Sequence, residues 1–368
     1  MPPRRALARV NLGAIERNVA LLRDSLEGGA QLCAVVKADG YGHGAAQAGR
    51  AALAGGASWL AVATAEEAAG LREQGIGGRI LVMGALSARE LPIALQAEAD
   101  VVAWDQRFVD QLAGMDPARP ARVHVKLDTG MGRLGTRSED DALAVAERIA
   151  STAPLELVGA MTHFATADGD LGFVEHQLDT FQHFLGTIRA RHPGIVAHAA
   201  NSAATLRCKQ SHLDLVRCGI AIYGLDPMNE DPDLRGLEPA LELTSYVAAV
   251  KLARKGDSAG YGRRFIADRD TWIATLPIGY GDGVRRLLTN NCDVLVGGKR
   301  YPMVGTVSMD NVTVDVGPEP VVEVGDTATL IGTDGAERQT AEELARRIET
   351  INYEIVCGIS SRVPREYR

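Results

Sequence analysis

Ala34-Val35-Val36-Lys37-Ala38-Asp39-Gly40-Tyr41-Gly42-His43-Gly44 is the end of an apolar strand, a lysine, and a loop. The apolar run from Leu32 through Val36 has the pattern of a buried parallel strand. Gly40, Gly42 and Gly44 leave the following loop with little side-chain bulk. One amine therefore stands at the rim of a core where a ligand can approach closely, although a lone lysine at a strand end more often snorkels to solvent. Outward from this stretch the same beat recurs. Strand-like runs fall at about 31–36, 58–63, 79–83, 99–103, 121–127, 155–162, 195–199 and 213–217, separated by segments of helical spacing such as 65–74, 88–98, 139–150 and 173–191. Eight strands alternating with helices predict an α/β fold, a (β/α)8 TIM-type barrel. A short strand within 6–12 and a helix with apolar Ile15, Val19 and Leu22 precede it.

A barrel of this kind places its chemistry at the C-terminal ends of the strands, and the polar residues fall there. Lys37 ends the first strand, Asp128 through Arg133 follow the fifth, His163 ends the sixth, Asn201 and Ser202 follow the seventh, and Arg217 ends the eighth. In Arg122-Val123-His124-Val125-Lys126-Leu127-Asp128, apolar residues alternate with polar ones, which sends Arg122, His124, Lys126 and Asp128 into the barrel. A buried cation must be paired, neutral or chemically altered. Near the eighth strand, Arg217-Cys218-Gly219-Ile220 offers backbone N–H groups where this fold often holds phosphate, and Ser202 adds a hydroxyl. There is neither a P-loop nor a dinucleotide fingerprint, so a nucleotide is not the obvious phosphate.

From Gly224 to Pro239 the pattern dissolves into a proline-rich linker. Beyond it, 241–252, 272–278, 292–296, 312–316 and 328–331 read as strands, and only 341–350 as helix. We therefore expect a barrel over 1–230, with its first few residues pairing elsewhere, and a mostly β domain over 231–368. Tyr261 and Tyr280 each sit between glycines, on loops from which a hydroxyl can reach a neighbouring site.

The chain has 368 residues, a net charge of −8, 46% hydrophobic and 23% charged residues. No basic run suggests a nucleic-acid or anionic membrane partner. No signal-peptide core or membrane-length segment is present, so a cytoplasmic protein is expected. Five widely spaced cysteines without a C-x-x-C pair argue for reduced thiols and against a zinc site.

A reactive lysine, a phosphate nest and a cation at a barrel mouth are what a pyridoxal 5′-phosphate enzyme needs. Along essentially its whole length the chain resembles the alanine racemase family, in segments 34–44, 126–135, 161–164, 201–204, 217–224, 261–265, 277–283, 307–311 and 351–365. The resemblance implies interconversion of L- and D-alanine with pyridoxal phosphate, in a homodimer with shared sites that supplies D-alanine for peptidoglycan. It implies Lys37 as the Schiff-base lysine and one base, and Tyr261 of the partner subunit as the opposed base, linked through His163 to Arg217. Arg217 would face the ring nitrogen, and His198 would orient it. Arg133 would contact the cofactor and the substrate carboxylate, and Lys126 would be carbamylated. Tyr41, Asn201, Ser202, Gly219, Ile220 and Tyr353 would hold the phosphate and ring. Met309, Asp310 and Tyr280, from the partner subunit, would form the substrate-carboxylate pocket and entry gate. Ser308 departs from the cysteine common in the family.

A broader-specificity or serine racemase differs from this only in a few pocket side chains. A basic-amino-acid decarboxylase of similar architecture predicts different C-terminal chemistry. A metal-dependent barrel hydrolase would need closely paired histidines on one strand, and a cofactor-carrying binding module would not need the second domain.

Overall fold

A computed structural model describes residues 4–319 and 321–368 and divides into two compact units. One comprises Met1–Ala14, Tyr41–His43 and Tyr223–Arg368, and the other Ile15–Gly40 and Gly44–Ile222.

The second of these is the barrel. After β1 (Leu7–Val10), its strands are β2 (Gln31–Val35), β3 (Trp59–Val62), β4 (Arg79–Val82), β5 (Val101–Ala103), β6 (Ala121–Lys126), β7 (Leu155–Met161), β8 (Val196–His198) and β9 (Leu215–Cys218). Parallel pairing runs β4-β3-β2-β9 and β5-β6-β7-β8. The two halves close where Asp100 bridges Leu81, and where Asp214 N donates to Ala197 O and Arg217 N to Ala200 O. β3 and β5 are buried along their whole length, as expected of strands walled by helices on one side and barrel side chains on the other. The helices start where short polar side chains cap them. Thr64 and Glu67 form a reciprocal capping box, and Asp105, Ser138, Asp170 and Asn201 each accept from a first-turn N–H. In the long helix Leu171–Arg191, Val174, Leu178, Phe181, Leu185 and Ile188 are buried at helical spacing.

The other unit is built on one large sheet, ordered β11-β14-β17-β16-β15-β18-β10-β1-β20. Its members include β10 (Leu241–Tyr246), β11 (Ala249–Ala253), β14 (Thr271–Leu276), β15 (Asp293–Val296), β16 (Lys299–Val304), β17 (Val312–Gly317), β18 (Thr327–Asp334) and β20 (Arg365–Tyr367). β1 pairs antiparallel with β10 and parallel with β20.

Three local expectations are corrected. The run 241–252 is two strands, because Val247 N turns to Asp326 O while Ala248 N turns to Thr275 O; continuous apolar character hides a change of partner. The helix expected over 88–98 is confined to Leu91–Gln96, since Glu98 takes a left-handed φ of 51°. The helix expected over 341–350 ends at Arg347, Glu349 is left-handed, and a second helix follows over Asn352–Cys357. Among the described residues no helix is long and apolar enough to cross a membrane.

Candidate active site

Lys37 follows β2, half-buried. Instead of the open glycine loop expected, the next four residues make a left-handed turn, with φ of 51° at Ala38, 52° at Asp39, 61° at Gly40 and 53° at Tyr41. For residues with a Cβ this costs roughly 1–2 kcal/mol each, so the surroundings must hold it. Glu67 Oε1 accepts from Ala38 N at 2.7 Å, while its Oε2 accepts from Ala63 N and Thr64 N. Asp39 O accepts from Gly44 N, and Asp39 Oδ1 from Ala45 N at 2.9 Å. Strain retained at such a place is a mark of function. The Thr64-x-x-Glu67 pattern announced the cap, but not that the same carboxylate would also fix the lysine turn.

β9 lies beside β2, with Arg217 in register with Cys33. Arg217 is 2% exposed, and among the described residues no carboxylate pairs with it. Its guanidinium instead donates to neutral acceptors: Nη1 to His198 Nδ1 at 2.9 Å, and Nη2 to Thr162 O, Ala199 O and His163 Nδ1 at 2.9, 3.0 and 3.1 Å. Burial lowers its pKa to about 10, which still leaves it charged at neutral pH. Burial, and then Arg217, Lys126, Arg133 and Lys37, hold His163 well below the ordinary imidazole value. A guanidinium only donates, so neutral His163 accepts at Nδ1 and carries its proton on Nε2. Gln177, fully buried on the long helix, fixes this loop by donating to His163 O and accepting from Ala165 N. That residue was not singled out in the sequence, because a glutamine on an amphipathic helix carries no distinguishing signal.

Asn201 caps the helix Ser202–Arg207. Ser202 Oγ accepts from Gly219 N at 2.9 Å and Ala221 N at 3.4 Å, leaving its own proton for an outside acceptor. Ile220 begins the 3₁₀ turn that follows. The structure thus brings together Ser202, Gly219 and Ile220 as expected, with Asn201 in a capping role.

Lys126 ends β6 and is buried. Among the described residues no side chain hydrogen-bonds or ion-pairs with its amine. Burial, then Arg217 and Arg133, lower its pKa to about 8 against the pull of Asp128. Asp128 itself shapes the loop, accepting from Gly130 N, Gly132 N and Arg137 Nε. Arg133 projects from that loop, exposed.

The sheet unit carries the remaining expected residues. Tyr41 packs between Tyr223 and Tyr353, with ring centroids 5.2 and 6.0 Å away. Tyr261, Tyr280 and Met309 are 74%, 44% and 51% exposed. Tyr280 N donates to Ser308 O and Gly281 N to Met309 O, which ties two of the loops together; Thr306 Oγ1 donates to Tyr261 O and ties in the third. Asp310 accepts from Arg362 at 2.7 Å. Among the described residues no cluster of histidine, cysteine and carboxylate side chains suits a metal ion, and the cysteines are free thiols.

Residues 10–227 match the family sequence model described as "Alanine racemase, N-terminal domain", and residues 240–367 the one described as "Alanine racemase, C-terminal domain". The chain is 42% identical to the alanine racemase of Thermobifida fusca over 369 residues, covering 98% of each protein. Its structure is similar to that of alanine racemase from D-cycloserine-producing Streptomyces lavendulae, with a TM-score of 0.94, 38% identity, and 100% and 98% of the two chains covered. It is also similar to alanine racemase from Bacillus anthracis with bound L-Ala-P, with a TM-score of 0.90, 38% identity, and 99% and 95% covered.

Proposed function

We propose, for a chain that belongs to the alanine racemase family, that it interconverts L- and D-alanine with pyridoxal 5′-phosphate at the mouth of the barrel, supplying D-alanine for peptidoglycan. The observation that carries this is Arg217. Its Nε is buried and lacks a hydrogen-bond partner, a donor suited to a ring nitrogen that accepts. On the neighbouring strand stands the amine of Lys37, and Ser202 holds a spare proton for a phosphate oxygen. This donor set fits the cofactor, with Gly219, Ile220, Asn201, Tyr41 and Tyr353 as further contacts.

When bound, the cofactor supplies the electron sink that makes the α-hydrogen of an amino acid acidic. The side chains do the rest. Lys37 Nζ takes or delivers the proton on one face of the substrate Cα, and Tyr261 Oη of a partner copy does so on the other. A free tyrosine titrates near about 10, so Tyr261 needs a donor to steady its phenolate. The Nε2–H of His163 is that donor, because Arg217 occupies Nδ1. Arg217 itself holds its proton too tightly to give it to the ring, which limits charge delocalisation and discourages side reactions. Arg133, together with Met309, Asp310 and Tyr280 of a partner copy, would position the substrate carboxylate and guard entry. Lys126, about half neutral near pH 8, is reactive toward carbon dioxide, and its carbamate would orient Arg133.

The test is α-hydrogen exchange with deuterated solvent, run from each alanine enantiomer, alongside serine and larger amino acids. We expect exchange and inversion of alanine from both sides, lost in Lys37→Ala. Inversion retained in that variant, or a clear preference for another amino acid, would overturn the assignment.

A further inference from the structure

Beneath Arg217 the hydrogen bonds continue down the barrel to a carboxylate at the opposite end of the strands. His198 Nε2 lies 2.9 Å from His124 Nδ1, and His124 Nε2 lies 3.1 Å from Asp100 Oδ2. Asp100, His124 and His198 are fully buried, so water does not supply or remove protons along the line. We infer that Asp100 is a positioning residue for Arg217: it terminates a one-way line of hydrogen bonds that fixes both histidine tautomers and holds the guanidinium in place. The inference rests on the role proposed above for Arg217.

The polarity follows from counting protons. A guanidinium only donates, a carboxylate only accepts, and a neutral imidazole has one N–H and one lone pair. Arg217 Nη1 donates to His198 Nδ1, so His198 carries its proton on Nε2. That proton meets His124 Nδ1, so His124 carries its own on Nε2, and Asp100 accepts it. Three bonds use three protons with none left over. A further proton on His198 would set its Nδ1–H against the Arg217 N–H, and one on His124 would set its Nδ1–H against the His198 Nε2–H, two donors face to face in either case. Burial opposes that proton, holding His124 below and His198 well below the ordinary imidazole value.

The line also balances charge. Among the described residues Arg217 has no adjacent counter-ion, and Asp100 supplies one at the far end of two polarisable rings. Asp100 is itself pinned by Arg79 on Oδ2 and by Arg122 Nε on Oδ1 at 2.5 Å. The Arg79 guanidinium lies 3.7 Å over the Trp59 ring, and the Trp59 and His124 rings meet edge-on with centroids 5.8 Å apart. Burial works to raise the Asp100 pKa, but His124, Arg79 and Arg122 together hold it below the usual carboxylate range.

The test pairs a magnetic-resonance readout with kinetics. Side-chain ¹⁵N spectra of the holoenzyme should show His124 and His198 as neutral Nε2–H tautomers from pH 6 to 9. An Asp100→Leu side chain, similar in shape, accepts no hydrogen bond, so His124, Arg79 and Arg122 all lose their acceptor. We expect that variant to retain bound cofactor, to lose kcat on the order of 10- to 100-fold, the range for removing an outer carboxylate that orients a histidine, and to leave KM for alanine within about twofold while His198 loses its single tautomer. A wild-type His198 protonated on Nδ1 would overturn the inference without any variant. So would Asp100→Leu with undiminished kcat. The spectra are independent of turnover, so an inactive wild-type enzyme with the stated tautomers would count against the proposed reaction and leave the line standing.

Discussion

Gly159 and His124 compete for one volume: a Cβ on Gly159 would stand 2.0 Å from His124 Nδ1 and 2.9 Å from Val196 O. The pairing of β6 with β7 shifts register between Val123 and His124, at this same contact. The glycine and the irregularity together let an imidazole lie flat against the neighbouring strand and reach His198.

Gly159→Ala should therefore push His124 off its partners while removing no charge. Overpacking of this kind costs typically about 1–3 kcal/mol, which urea unfolding would register. We expect kcat to fall with little change in KM, and the His198 resonances to shift as in Asp100→Leu. An unchanged spectrum would mean that His124 has room to spare.

Shared sites predict complementation. Lys37→Ala and Tyr261→Phe should each be severely impaired, with Tyr261→Phe unequal between the two exchange directions. Mixed dimers of the two should recover activity that neither has alone, because one of their two sites then carries both bases. Mixtures no more active than their components would place both bases on one chain.

The Lys126 amine titrates near 8 in the folded state and near 10.5 when free. Between those values the unfolded chain binds the extra proton, so stability rises as pH climbs from about 8 to about 10.5 and the penalty is fully present below 8. In buffer free of carbon dioxide, Lys126→Met should be stabilised relative to wild type at pH 7, with the gap narrowing toward pH 10. Adding ¹³C-bicarbonate should produce a protein-bound carbamate resonance in wild type, as the neutral amine adds carbon dioxide and releases a proton, and none in Lys126→Met. Absence of the resonance in wild type would remove the carbamate from the site.

Asp282, fully buried, accepts from Arg5 with both oxygens and from Gly279 N at 3.0 Å, at the base of the Tyr280 loop. Burial alone would raise its pKa; Arg5, the Gly279 N–H and Arg362 outweigh that and lower it. Its contribution is thus present above the ordinary carboxylate value and lost as pH falls through the folded one. Asp282→Asn should cost about 1–3 kcal/mol near pH 7, where Arg5 keeps partial access to water, and less near pH 3. Urea midpoints at the two pH values check this, and equal losses at both would contradict it.

Much of this was legible because the chemistry sits where the pattern breaks. Lys37, His163 and Arg217 each end a β-like run, and the alternation through Arg122–Asp128 placed His124 and Lys126 inside. Asp100 was not legible. It falls inside the run read as a strand over 99–103, where nothing marked it out, and the sequence does not say that Arg79, Arg122 and His124 on the two neighbouring strands turn their side chains toward it. Gly159 carried no signal of its own within the run 155–162, since the side chain that leaves no room for a Cβ there belongs to the neighbouring strand. The left-handed turn at Ala38–Tyr41 was hidden for a related reason: only one of its four residues is glycine, and the bonds that hold it come from Glu67 and Asp39.

The parallel pairing of β1 with β20, Ala8 beside Arg365 and Val10 beside Tyr367, has a consequence for the order in which the protein forms. Barrel residues 15–222 all leave the ribosome before β10, and those strands and helices are free to assemble early. β1, made before any of them, waits for β10 and then for β20, which follows every other strand of the sheet in chain order. Contacts between such distant parts of a chain form slowly, so the large sheet is the late event in maturation, and any exposed loop it carries acquires its final geometry only when the tail is in place.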